Sequence, residues 1–201
     1  MKKNKCLIIG SLTTIFLMLS VTTLVPVSAH EFEEDPYFQE LDMIIGNYTE
    51  PIEEYDKYIN DYINEYGGID ENFTVSVEIA EELNNLMTEI SEIQSQQPQS
   101  GGVNDFDIWW EFIIFCHAVL KIDHFWTTLL DVWGTLGLSL TVIILCAAFG
   151  LDPSDAIIIA IAIALFNAGI ASVCSVDEGK GIVTIFDGII LPYNLDSYYP
   201  Q

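Results

Sequence analysis

The chain has 201 residues, with 30 Asp and Glu against 6 Lys and no Arg, a formal net charge of −24. Apolar residues still make up 51%, and the mean hydropathy is +0.36, so acidity and hydropathy must be segregated along the chain. A nucleic-acid partner is not expected, because phosphate binding needs clustered Lys and Arg. A polybasic lipid-surface binder and an arginine clamp for phosphoryl transfer are disfavoured on the same ground.

The first residues, Met1-Lys2-Lys3-Asn4-Lys5, are followed by an uncharged stretch from Cys6 to Val27 and by Val27-Ser28-Ala29. A basic start, an apolar core and a small-x-small end predict a secretory signal over 1–29, cleaved after Ala29. The triplets Asn47-Tyr48-Thr49 and Asn72-Phe73-Thr74 fit export as glycosylation acceptors. Beyond the leader remain Cys116, Cys146 and Cys174, an odd number in apolar surroundings. Their spacing matches neither a zinc ribbon nor a CxxC pair, and buried inert thiols are expected.

Residues 30–93 hold 19 acids and one base, Lys57. Ile52, Tyr55, Ile59, Tyr62, Ile63 and Tyr66 recur at helical steps after Pro51, and Gly67-Gly68 ends them. Ile79, Leu83, Leu86, Ile90 and Ile93 predict a second helix, capped by Ser76 with Glu78 near its positive end. A shorter helix is predicted over 36–45. Residues 94–105 are rich in Gln, Ser, Gly and Pro and read as a flexible linker spanning about 20 Å.

Residues 106–201 are the apolar part. Over 106–133 an amphipathic helix is predicted, with Asp107, Glu111, His117, Lys121, His124, Thr128 and Asp131 on one half of its wheel. All four tryptophans, Trp109, Trp110, Trp126 and Trp133, lie in it, as suits a membrane boundary. Residues 132–151 and 156–176 then give 20 and 21 positions without a formal charge. Each matches the roughly 20 residues that cross a bilayer, so an antiparallel transmembrane hairpin is predicted, with the buried centre of a soluble helical domain as the alternative. Gly150 would close the first helix, and Asp152 and Pro153 would open the second. Ala156, Ala160, Ala164, Ala168 and Ser172 repeat every four residues and predict close packing or self-association. After the turn Gly179-Lys180-Gly181, a short β-hairpin is predicted from Ile182–Phe186 and Ile189–Leu191 around Asp187-Gly188, with a coil from Tyr193 onward.

Chemistry is sparse in the sequence. On one helix His117 and His124 would stand about 10.5 Å apart, too far to share a metal. The pairs Glu53/Glu54, Glu81/Glu82 and Asp177/Glu178 read as solvated faces, and no phosphate-loop, nucleophile-elbow, dinucleotide or EF-hand motif occurs. No catalytic, cofactor-binding or metal-binding residue is assigned, and no motif is specific enough to name a family. For an enzyme, Glu111, His117 and Asp123 would be the first positions to substitute.

The expectation is therefore a mainly α protein. It comprises a leader (1–29), an acidic helical segment (30–93), a flexible linker (94–105) and an apolar helical domain with a C-terminal β-hairpin (106–201). The expected role is a non-enzymatic exported protein held in the cell membrane by the hairpin, with the acidic part outside. The lipid bilayer, a cationic partner and divalent cations at the acidic segment are the expected contacts. The alternative is a secreted, bacteriocin-like, pore-forming protein kept soluble by its acidic part.

Overall fold

A computed structural model of the chain describes residues 36–97, 101–111, 115–189, 191 and 194–201. The predicted leader and residues 98–100 of the predicted linker lie outside them. The chain divides into two compact units, residues 1–39 and 40–201. In the first, the described residues Pro36–Gln39 are helical.

Three helices come first: α1 (Pro36–Asn47), α2 (Thr49–Tyr66) and α3 (Val77–Gln96). Helix α2 stops where Gly67 adopts a left-handed φ of 81° and its N–H bonds Ile63 O. Helix α3 starts at Ser76, whose hydroxyl accepts from the Ile79 N–H at 3.3 Å. The apolar stripes of both helices are buried through Ile52, Tyr55, Ile59, Leu83, Leu86 and Ile90, while Glu53, Glu54, Glu81 and Glu82 face solvent.

The sheet is a four-stranded antiparallel meander in the order β1 (Asp105–Glu111), β2 (Phe115–Ile122), β3 (Ile182–Ile189), β4 (Asn194–Pro200). Between β2 and β3 the chain forms α4 (His124–Val132), a 3₁₀ turn (Gly134–Leu136), α5 (Leu138–Phe149), α6 (Ala156–Ala168) and α7 (Ile170–Cys174). Alternation divides the sheet. Cys116, Ala118, Leu120 and Ile122 of β2 and Ile182, Thr184 and Phe186 of β3 are buried on the inner face. Gly181, at φ 94°, lets β3 leave its turn against β2: a Cβ there would stand 1.9 Å from Ile122 O. The Gln201 carboxamide donates to Val103 O and Ile122 O, both at 2.9 Å, and ties the end of β4 to the segment before β1 and to the end of β2.

Helix α5 is the centre of the helical layer. Every residue from Ser139 to Cys146 is buried. It packs against α2, α3, α4 and α6. Polar ties close the rim of this packing. Tyr55 OH donates to Pro153 O, Ser139 Oγ donates to Asp56 at 3.2 Å, and the Trp133 indole donates to Asp42 at 3.1 Å.

The transmembrane hairpin is overturned. Among the described residues no helix is long and apolar enough to cross a membrane. The two uncharged runs do not form two long helices. The first is broken between Val132 and Leu138, and the second at Gly169, where φ is 89°. The cover that α5 needs comes from the apolar stripes of α2 and α3, which turn toward it instead of forming a separate head. The mainly α class with a terminal hairpin is overturned with it. Residues 105–111 and 115–122 form two strands rather than a helix. Asp187-Gly188 lies inside β3 rather than in a turn, and the predicted terminal coil supplies β4. A membrane-attached location loses its anchor; export does not depend on it.

Local punctuation also shifts by one step. Gly150 closes α5 in the left-handed region, as the Gly-Leu pair predicts, with the Leu151 N–H on Cys146 O at 3.0 Å. The cap of α6 is Asp155, not Asp152. Asp155 accepts from the Ile157 N–H at 2.9 Å, while Asp152 holds the preceding turn through Ser154. Of the small-residue row, Ala160 and Ala164 are enclosed in the monomer, and Ala168 and Ser172 lie in the open.

Truncating an enclosed leucine should cost far more than truncating an exposed one. Leu145→Ala, at 0% exposure in α5, is expected to lower unfolding stability by about 2–5 kcal/mol in urea titration. The same change at Leu136, 72% exposed, is expected to cost less than about 0.5 kcal/mol. Equal losses at the two positions would contradict the enclosure of α5.

Candidate functional site

The outer face of the sheet is built by the residues that alternate with the buried ones. Register sets them in cross-strand rows: Asp105, Lys121, Val183 and Tyr199; Asp107, Val119, Ile185 and Ser197; Trp109, His117, Asp187 and Asn194. A wet face of an antiparallel sheet normally reads polar. Here Trp109, Phe115 and Tyr199 stand 47%, 42% and 47% exposed among carboxylates.

His117 occupies the middle of this face. Its Nδ1–H donates to Asp187 Oδ1 on the next strand, a direction set by the carboxylate being an acceptor only. Its Nε2 lies 3.5 Å from Glu111 Oε2, makes no hydrogen bond and is closed off from solvent. The Trp109 ring stacks on the imidazole at 5.3 Å with an interplanar angle of 14°. Directly opposed residues on one face of a sheet lie close enough for such contacts. The result is a rigid aromatic pair held between two carboxylates.

Lys121 Nζ reaches Asp105 Oδ2 at 2.8 Å. That hydrogen bond and charge hold the Asp105 carboxyl below, and the Lys121 ammonium above, their ordinary values. The lysine of the outer face is thus already matched by Asp105, while Asp107 and Glu111 add further carboxylates.

The positions singled out from sequence separate. Glu111 and His117 meet on the outer face. Asp123 does not join them: it is buried at the start of α4, where it accepts from the Trp126 N–H at 3.1 Å and from Gln94 and Asn104, each at 3.2 Å. His124 is not on a helical face shared with His117. It opens α4 and bonds Asp177 at 2.6 Å. Burial works to raise the Asp177 pKa, but the bonds from His124 and from the Gly181 and Gly179 N–H groups outweigh it, and the carboxyl sits below its usual range. This cluster locks the turn into β3.

The arrangement limits the chemistry. Cys116 follows the alternation to the inner face, away from His117, and burial pushes its thiol up. No thiolate–imidazole pair forms there. Cys116, Cys146 and Cys174 are all free and buried. Asp187 and Glu111 approach opposite edges of the His117 ring, so they do not converge on one point. Among the described residues no group of three or more His, Cys, Asp or Glu is placed to hold a metal ion. What the face offers is flat aromatic surface beside fixed negative charge. No protein-family model, curated protein or solved structure matches the chain.

The signal for this face was a period of two. In Asp105-Phe106-Asp107-Ile108-Trp109-Trp110-Glu111, polar and apolar residues alternate over the first four positions. The pairing of Asp187 with His117, 70 residues away, has no local signal.

The Asp105–Lys121 pair sets a pH expectation. The folded Asp105 pKa is lowered, so its contribution is present above the unfolded value near about 3.9 and is lost as pH falls through the folded value. The folded Lys121 pKa is raised, so its contribution is present below about 10.4 and is lost as pH rises through the folded value. In a carboxyl-detected NMR titration, Lys121→Met is expected to move the Asp105 midpoint upward; an unmoved midpoint would show that the two groups do not interact.

Proposed function

We propose that the protein is a non-catalytic binding module whose outer sheet face receives a basic polypeptide segment. The observation that carries this reading is the coexistence on one face of exposed Trp109, Phe115 and Tyr199 with Asp105, Asp107, Glu111 and Asp187, against the single matched Lys121. A lysine or arginine side chain has an apolar stem and a charged head. Its stem suits the aromatic surface and its head the carboxylates, with further gain where the cation lies over an indole face. The net charge of −24 would steer such a partner and make association faster at low salt.

The bacteriocin-like alternative has weaker support. Helices α5 and α6 have 12 and 13 residues, a rise of about 18–20 Å against a hydrocarbon layer of about 30 Å. The apolar surface of α5 is already engaged with α2, α3 and α6, and that of α6 with α5, α7 and β4.

A short peptide of alternating lysine and valine, titrated against the full chain by tryptophan fluorescence, is the direct test. Binding is expected to weaken about tenfold when ionic strength is raised from low to physiological. Combined Asp107→Asn, Trp109→Ala and Glu111→Gln should reduce affinity at least tenfold. Combined Glu53→Gln, Glu54→Gln, Glu81→Gln and Glu82→Gln, on exposed helix faces, should leave it within about twofold. If both sets lower affinity alike, the peptide follows the overall charge and the sheet face is not the site.

A further inference from the structure

A second feature lies where the ends of β1 and β3 meet the α2–α3 connection and the start of α6. A cleft of about 730 Å³ opens there. Its volume falls in the range of small-molecule sites. Ile69 and Leu191, both buried, line it together with Trp110 and Ile189, which are 47% and 64% exposed. Large apolar side chains left open around one concavity are unusual for a surface with no occupant.

The polar groups of the cleft are of one sign. Asp70, Glu71 and Asp155 line it, and no lysine or histidine is among its described lining residues. Asp70 is fixed in place: Tyr62 OH donates to it at 2.5 Å and the Asn72 N–H at 2.8 Å. These bonds hold its carboxyl below the usual range, so it carries charge at neutral pH. Asp155 caps α6, and its charge offsets the roughly half positive charge of that helix end. The remaining balance in the cleft is clearly negative.

We infer that this cleft binds a small organic cation with an apolar body, an aryl- or alkylammonium ion. The apolar wall and the indole of Trp110 suit the body, and the carboxylates suit the ammonium. A bare metal ion suits it poorly, because the carboxylates are not grouped to coordinate one. The cleft borders the inner residue Trp110, not the outer Trp109, and touches the peptide-binding face only at Ile189, which stands opposite Phe115.

Benzylammonium and its neutral counterpart benzyl alcohol are the probes, followed on the full chain by two-dimensional amide and indole NMR. Benzylammonium is expected to give saturable shifts at the Trp110 indole and at the amides of Glu71, Asn72 and Ile157. Benzyl alcohol is expected to bind at least tenfold more weakly. Glu71→Gln, an exposed position, should weaken benzylammonium about threefold without changing the thermal midpoint or the weak binding of the alcohol. Ala156→Leu, which adds bulk to the wall, should block both. Equal binding of the two probes would leave only an apolar cavity and overturn the inference. The same shifts from sodium or magnesium chloride at equal ionic strength would reduce it to a counterion atmosphere, and an absence of saturable shifts at millimolar concentration would also overturn it.

Discussion

The fold depends on wrapping one helix. Helix α5 is apolar on every side, and such a helix is stable only in lipid or inside protein. Here the wrap is made by α2, α3, α4 and α6. Two of these are the most acidic helices of the chain, so the same elements that enclose α5 carry mutually repelling carboxylates on their outer sides. Burial decides the balance. Ile52, Ile59, Leu83, Leu86 and Ile90 are each nearly or fully removed from water. A side chain of this kind contributes about 1.5–3 kcal/mol when buried. Repulsion between exposed carboxylates is screened beyond about 8 Å at physiological salt.

The sheet imposes a second constraint through alternation. Neighbours in sequence are sent to opposite faces, so Cys116 goes to the core and His117 to the outside. Neighbours across strands are brought together, so His117 meets Asp187 from the far end of the chain. The imidazole is then held by one carboxylate at each edge and by Trp109 over one face of its plane. A group so confined presents a defined surface.

The elements that were legible in the sequence are those with local punctuation. Helices α2 and α3 combine a sustained 3.6-residue rhythm with Gly67 at one end and Ser76 at another start. The same holds for Gly150 after α5. The strands were hidden for two reasons. Over 106–133 the charged residues happen to fall within half a helical wheel, although β1 also carries an alternation. And Asp187-Gly188, a tight-turn pair in isolation, stays extended because β3 is paired on both sides by β2 and β4. Length misled in the apolar runs. Twenty residues without charge need not be one helix when Gly137 and Gly169 interrupt the backbone. Most of all, sequence periodicity says that α2 has an apolar stripe, but not which surface it covers. That stripe covers α5, and this single pairing replaces a bilayer by a protein interior. The candidate face was legible only in part. Glu111 and His117 stood out, while Asp187, Trp109 and the exclusion of Asp123 depend on strand register.

Charge alone cannot mark a binding surface on this chain, because nearly every exposed face is acidic. Lys57, Lys121 and Lys180 are the lysines of the described residues, and they are scattered. Any cation gains from such a field, but a small hydrated ion gains equally everywhere and is screened by salt. The outer sheet face and the cleft beside Trp110 differ from the helix faces in one respect: each sets an exposed indole within reach of fixed carboxylates. A cation with an apolar body gains there from desolvation and from the indole as well as from charge. Those two added contributions are short-ranged and local, so they, rather than the net charge, can distinguish one part of this surface from another.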